Sequence, residues 1–391
     1  MNIVFVSNYL SPHQLPFCLA MGKFKDVNFT FVATLPIRED RKKLGYEDLD
    51  KKYPFVICAY DSKEQKNQAQ ALIDQADIVI VGTAPQEMIK QRIKCGKITF
   101  KVSERQLKRG LQPLKYPYRY IKWHKELWGK KNCYLLCASA YTAYDFSLFG
   151  LFRNRAFKWG YFPQTVTYPD IDKVIKEKQP RTILWVGRLL DWKHPEYMLR
   201  LASALKNKGI DFHINILGTG PMEEQLKTAI AEQGLNDKIT MLGSKKVAEV
   251  RRYMEQSQIF ITTSNRVEGW GAVVNEAMNS GCAVVAGSIV GCAPYLINNN
   301  QNGIIYKHDD FETGIAAVEK LLGDTALCQS LGKRAYKTIT NEWNADLAAD
   351  RLVKLCKVLI KDPKGGKLFA DGVCSPAPII KDGYLPKGEK Q

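Results

Sequence analysis

The chain has no apolar run approaching the roughly 20 residues of a membrane-spanning helix, so it is not expected to cross a bilayer as a helix. It lacks an internal repeat at a solenoid period and any long low-complexity tract, which sets repeat arrays aside. Its first residues, MNIVFVSNYLSP, have no basic n-region and no small-residue cleavage site. They read as a first β-strand, and a cytoplasmic protein is expected. Ten cysteines are present, but no second Cys/His pair stands near Cys133 and Cys137. Most cysteines sit in apolar stretches, so buried thiols are expected rather than metal ligands. Acidic residues are in short supply: 40 Asp and Glu against 57 Lys and Arg leave a net charge of +17. No helix-turn-helix, finger or RNP signature accompanies that charge, which argues against nucleic acid as the partner.

What is present is a rhythm. Short β-branched strands alternate with helix-length stretches of mixed character. The first half offers NIVFVSN, NFTFVAT, FVICAY, DIVIVGT, KITFKVS and CYLLCAS; the second offers TILWVGR, HINILGTG, KITMLGS, QIFITTS, CAVVAGS and GIIYK. The strands are apolar on both faces, as parallel strands covered by helices must be. The expected class is α/β, with two Rossmann-like, doubly wound domains. Residues 1–165 form the first, 166–181 a proline- and charge-rich linker, and 182–360 the second. Residues 361–391 are a Pro/Gly-rich tail that either packs back on the first domain or is partly disordered. With two such domains the ligand site is expected in the cleft between them.

The positive charge is concentrated. RQLKRGLQPLKYPYRYIKWHKELWGKK, residues 105–131, holds nine Lys/Arg and one Glu, interleaved with Tyr, Trp and Leu. Nucleic acid, an anionic membrane or a phosphate-rich substrate each matches it, and so does a plain solvated face. Membrane docking is the preferred expectation, through Lys108, Arg109, Lys115, Arg119, Lys122 and Trp123.

The second half carries the chemistry. In SNRVEGWGAVVNEAMNSG, Glu268 and Glu276 flank Gly269 and Gly271. The glycines suit a tight loop, so a helix is expected from about Ala272 to Asn279. The free amides of Gly271, Ala272 and Val273 would favour a phosphate. Carboxylates repel phosphate but bind vicinal hydroxyls, and nucleotide-sugars combine the two groups. Arg188 and Lys193, in ILWVGRLLDWKHPE, stand where a strand ends and supply cations for a diphosphate leaving group. GTGPMEE has a partial phosphate-loop look, but a strand-end turn is the plainer assignment.

EGWGAVVNE resembles the Glu-x7-Glu motif of retaining GT-B glycosyltransferases of family four, the glycosyl transferases group 1 type. GRLLDWK, LGTGP, the LGS turn and NGIIYKHDD are similar to that family's loops. The resemblance covers most of 182–360. It implies that Glu268 contacts the donor sugar and Glu276 the ribose. It maps the diphosphate contacts onto Arg188, Lys193 and the amides of Gly271, Ala272 and Val273, and the base near Gly243 and Ser244. It implies a hexosyltransferase that retains anomeric configuration, uses a nucleotide-sugar (UDP by default) and requires no metal or other cofactor. An Asp-x-Asp metal signature is absent from the region of that site. A saccharide or lipid-linked saccharide is the expected acceptor, in bacterial surface polysaccharide or glycolipid assembly. The enzyme is then expected to be cytoplasmic and peripheral on the inner face of the plasma membrane. A nucleotide-sugar epimerase of the same fold and a catalytically silent nucleotide-sugar sensor stay open as alternatives.

The first half gives less. Relatives carry paired glycines after the first strand; SNYLSPHQLPF has none. His13 stands there instead, either as a ligand contact or in the first turn of a helix capped by Ser11. Glu104, in FKVSERQ, is the acceptor-side candidate.

Overall fold

The computed structural model describes residues 1–39 and 47–385. Its chain divides into two units: residues 1–164 with 344–380, and residues 165–343 with 381–391.

Unit 1 is built on seven parallel strands: β1 (Asn2–Ser7), β2 (Asn28–Ala33), β3 (Val56–Cys58), β4 (Ile78–Val81), β5 (Ile98–Ser103), β6 (Cys133–Cys137) and β7 (Ala156–Lys158). Their order is β3-β2-β1-β4-β5-β6-β7. Unit 2 has six: β8 (Gln179–Val186), β9 (His213–Leu217), β10 (Ile239–Gly243), β11 (Ser257–Thr262), β12 (Ala283–Gly287) and β13 (Ile304–Tyr306), in the order β10-β9-β8-β11-β12-β13. Every pairing in both sheets is parallel. Parallel strands need crossover helices on both faces, which is why β4, β6 and β12 are buried along their whole length. Each sheet is doubly wound and reverses direction once, between β1 and β4 and between β8 and β11. A crevice opens at the carboxyl ends of such neighbouring strands, and ligands favour it.

All twelve strands expected from the sequence are present, together with the short β7. Two assignments change. The segment expected as a linker holds a helix, Ile171–Lys176, capped by the Asp170 side chain accepting from the Lys173 amide at 3.1 Å. Its Ile171 and Ile175 pack over Gly281, where an added Cβ would sit 2.9 Å from Ile175. The helix Ala345–Lys361, expected to close the second domain, belongs to unit 1. It lies on the helix Leu15–Met21, burying Leu352, Leu355, Cys356 and Leu359. Lys23–Asp346 and Lys357–Asp26 pairs, each at 2.6 Å, fasten its exposed edge. Residues 374–377 of the tail then pair with β7: Lys158 N–H donates to the Ser375 carbonyl at 2.8 Å, and Ala377 N–H to the Ala156 carbonyl at 2.9 Å. An open edge strand is thereby covered.

All ten cysteines are free thiols, nine of them buried. Burial pushes the Cys133 thiol up to about 12.

Candidate active site

The switch point of unit 2 lies between β8 and β11, and the loops leaving both strands are tied together. After β8 a 3-10 turn, Asp191–Lys193, ends at His194 with φ +49°. After β11 the Thr263 hydroxyl donates to the Lys193 carbonyl at 2.6 Å and accepts from the Trp185 indole at 2.9 Å. The Asn265 amide donates to the Trp192 carbonyl at 2.9 Å, and its side chain lies 3.3 Å from His194 Nε2. These contacts fix two loops from different strands in one register.

That register brings Lys193 and Glu268 together. Lys193 Nζ donates to Glu268 Oε2 at 2.6 Å, and the Ser264 hydroxyl donates to the same oxygen at 3.3 Å. The two side chains are only 14% and 16% exposed. Nζ also lies 4.7 Å from the centre of the Trp192 ring. A mostly buried pair at this distance is strongly attractive, and each charge depends on the other for its compensation.

The chain then turns at Gly271, whose φ is +91°. A Cβ here would be strained and would meet Val290 Cγ1 at 3.1 Å and Glu268 Cγ at 3.6 Å. The helix Ala272–Asn279 starts at once, so the first-turn amides of Ala272 and Val273 lie beside Glu268 in the chain, as expected. Glu276 sits one turn inside. Burial pushes its carboxyl up to about 7, and the charge of Arg251 pulls the other way. Its carboxylate accepts no hydrogen bond among the described residues. Arg188 is exposed just beyond β8, without an ion pair among the described residues. Gly243 ends β10 with φ +67°, followed by an exposed Ser244.

The glycines of LGTGP have a packing role that their spacing does not reveal. A Cβ on Gly218 would lie 1.8 Å from the Gly187 carbonyl oxygen, and one on Gly220 2.4 Å from that of Leu189. This loop presses on the backbone that carries Arg188, and the Leu189 amide donates to the Thr219 carbonyl at 2.9 Å. Lys178 was also missed. It is buried and donates to the carbonyls of Met254, Glu255 and Ser280 at 2.7, 3.1 and 2.9 Å. It thus ties the end of the helix Val247–Gln256 to the end of the helix bearing Glu276.

Unit 1 gathers a second group at the carboxyl ends of β1, β5 and β7. The Tyr161 hydroxyl donates to Glu104 Oε1 at 2.7 Å, and Lys108 Nζ to Glu104 Oε2 at 2.7 Å. The His13 ring stacks on Tyr161 with centroids 6.1 Å apart. Ser11 is not a helix cap: the helix starts at Leu15 with Gln14 at its cap, and the Ser11 carbonyl accepts from the Gln14 and Leu15 amides. Tyr161 went unnoticed because it sits beside the prolines that suggested a linker.

Four members of the basic stretch turn inward: Arg105, Leu107, Trp123 and Trp128. Trp123, expected at a membrane, packs against Phe146 and Phe149 at 4.9 and 4.5 Å and is 7% exposed. Arg105 is buried beside Asp145 at 3.5 Å and over the Tyr141 ring. Asp145 also accepts from the Gln106 and Leu107 amides, which fixes the loop carrying Glu104. Arg109, Lys115 and Lys122 are exposed, while Lys108 and Arg119 are half-buried. Among the described residues no group of three His, Cys, Asp or Glu converges as metal ligands.

Residues 168–338 match the family model described as glycosyl transferases group 1. The amylovoran biosynthesis glycosyltransferase AmsK of Erwinia amylovora is 31% identical over 46% of this chain and 46% of its own. The putative colanic acid biosynthesis glycosyltransferase WcaL of Escherichia coli K12 is 28% identical over the same shares. The chain spans about half the length of the curated relatives it matches. Among solved structures, a glycosyltransferase from Rickettsia africae aligns over 92% of this chain and 99% of its own, with a TM-score of 0.63 and 18% identity. Anabaena Alr3699/HepE in complex with UDP aligns over 90% and 99%, at 0.65 and 14%. The two parallel sheets are those of the GT-B fold, and residues 168–338, which hold Lys193, Glu268 and Glu276, are similar to the glycosyl transferases group 1 family.

Proposed function

We propose that the protein transfers a sugar from a nucleotide-sugar, with UDP as the nucleotide, to a saccharide or lipid-linked saccharide, with retention of anomeric configuration. The product belongs to bacterial surface polysaccharide or glycolipid assembly, as the names of its relatives suggest. The observation that carries this reading is the Lys193–Glu268 pair at the β8/β11 switch point, beside the helix that holds Glu276.

A bound diphosphate would compete with Glu268 for the Lys193 ammonium. Arg188 and the amides at Gly271, Ala272 and Val273 would add positive potential at the same place. These groups stabilise the charge that grows as the sugar–phosphate bond breaks. Glu268, relieved of Lys193, is then available to a sugar hydroxyl. Glu276, half-buried and without a side-chain hydrogen bond among the described residues, offers two oxygens to vicinal ribose hydroxyls. Gly243 and Ser244 lie on the strand end assigned to the base. The leaving phosphate takes the acceptor proton, so no separate base is needed in unit 2. In unit 1, Glu104 with Tyr161 and His13 forms the acceptor-side group. Fixed cations and amides do the electrostatic work, and a metal is not required.

Release of UDP from UDP-sugars, followed by chromatography, tests this. Lys193→Met and Glu268→Gln should each lower turnover about 100-fold or more. The anomeric proton coupling of the product reports retention. Interconversion of the donor with no acceptor present would replace the transferase reading with an epimerase.

A further inference from the structure

The helix Tyr116–Lys125 has two apolar faces, and only one of them is covered. The inner face is Trp123 with Tyr116, whose ring stacks on Phe149 at 4.7 Å and whose hydroxyl donates to the Leu148 carbonyl at 2.9 Å. The outer face is Leu114, Tyr118 and Ile121, which are 98%, 66% and 52% exposed. Tyr118 and Ile121, three residues apart, form a stripe on one helix face, and Leu114 precedes that stripe in the 3-10 turn Pro113–Lys115. Leu111, also exposed, extends it. Arg119 bends back to donate to the Leu111 carbonyl at 2.9 Å. That bond secures the turn that holds Leu111 and Leu114 at the head of the helix.

Basic residues line the stripe. Arg109, Lys115, Lys122 and Lys125 are exposed around it. Two acids stand beside it, Glu87 and Glu126; Glu126 accepts from the Trp128 indole at 2.9 Å and stands 4.0 Å from Lys122, so cations still outnumber acids around the stripe. Beside the stripe runs a groove walled by Tyr118, Ile121, Lys122 and Lys125 on one side, with Gln86, Glu87 and Lys90 opposite. The informative feature is not one exposed leucine but the run of exposed apolar side chains Leu111, Leu114, Tyr118, Tyr120 and Ile121 within eleven residues, flanked by an excess of cations.

We propose that this face docks on an anionic lipid surface. Leu114, Tyr118 and Ile121 enter the boundary between headgroups and acyl chains, while Arg109, Lys115, Lys122 and Lys125 meet lipid phosphates. The arrangement is that of an interfacial amphipathic helix: apolar residues in the centre, cations on the flanks and a tyrosine at headgroup depth. Nucleic acid fits it less well, because two aliphatic side chains at the centre gain nothing from a phosphate backbone. The proposal stands apart from the transferase reading, since docking needs neither donor nor acceptor.

Co-sedimentation of the full chain with vesicles tests it, using phosphatidylcholine alone and phosphatidylcholine mixed with phosphatidylglycerol, at low and high salt. Binding is expected only to the mixed vesicles, and salt should weaken it. Each Lys near the surface strengthens partitioning about fivefold. The triple variant Lys115→Glu, Lys122→Glu, Lys125→Glu should therefore bind at least about 100-fold more weakly. Leu114→Ser with Ile121→Ser should lose about tenfold or more on the same vesicles. All five side chains are exposed, so an unchanged melting temperature and unchanged UDP binding are expected and serve as the folding control. No binding to either vesicle overturns the proposal, and so does equal binding to both. If the serine variant binds like the parent, or if duplex RNA displaces the parent from vesicles while binding the serine variant equally well, the surface is an electrostatic one for another polyanion.

Discussion

Removing either member of the Lys193–Glu268 pair should cost stability, and removing both should not cost twice as much. The two charges are 2.6 Å apart and each side chain is about five-sixths buried. Truncating one leaves the other desolvated without its counter-charge. A dry pair would lose several kcal/mol in this way, and residual contact with water lowers the figure to about 2 kcal/mol for Lys193→Met or Glu268→Gln. The double variant leaves no orphaned charge, so it should be no less stable than either single variant, giving a coupling of about 2 kcal/mol. Urea unfolding of the parent, both single variants and the double variant measures this directly. Turnover should show no such sparing: the double variant loses no more stability than a single one, yet has no activity, because both groups act on the donor. Additive stability losses would show that the pair contributes nothing in solution. Recovery of turnover in the double variant would refute the roles assigned to both residues.

Other consequences concern the elements around the pair. Glu276 titrates near 7 in the folded chain against an ordinary value of 4.5, so between those values the folded chain holds a proton that the unfolded chain has released. Stability should therefore fall as pH rises through that window, by on the order of 3 kcal/mol, and level off above it; Glu276→Gln should flatten the pH profile of the melting temperature. Ribose hydroxyls favour the carboxylate, so calorimetry in buffers of different ionisation enthalpy should show proton release on nucleotide binding near neutral pH. Gly271→Ala forces a side chain into φ +91° beside Val290 and should cost about 1 to 2 kcal/mol, with weaker nucleotide binding. Lys178→Met leaves three carbonyls without their donor and should lower stability by about 3 kcal/mol, read by denaturant unfolding. Tyr161→Phe removes one of the two hydrogen bonds on Glu104 and should raise the acceptor KM while leaving donor affinity unchanged.

Much of the fold was legible because parallel strands buried on both faces leave short, continuous apolar runs. β7 escaped because it is only Ala156–Lys158, and its pairing is supplied by β6 and by a tail more than 200 residues away. The helix Ala345–Lys361 shows an apolar stripe in the sequence, but nothing local tells which unit will bury that stripe. Its partner, Leu15–Met21, lies at the other end of the chain. In unit 2 the helix start at Ala272 was legible from the glycines, since φ +91° at Gly271 admits little else. The bond between Lys193 and Glu268 was not, because it arises from two loops latched through Thr263 and Asn265. Trp123 illustrates a missed period. Positions 116 and 123 form one stripe and 118 and 121 another, so a basic aromatic helix can be half core and half surface.

The most direct test of the central claim is a calorimetric titration of UDP into the parent and into Glu276→Ala, with GDP, ADP and CMP as comparators. The account predicts saturable UDP binding to the parent, weaker binding of the comparators, and loss of UDP affinity in the variant, whose fold is intact by its unfolding curve. Absence of binding by all four nucleotides to the parent, or equal UDP affinity in parent and variant, would contradict it.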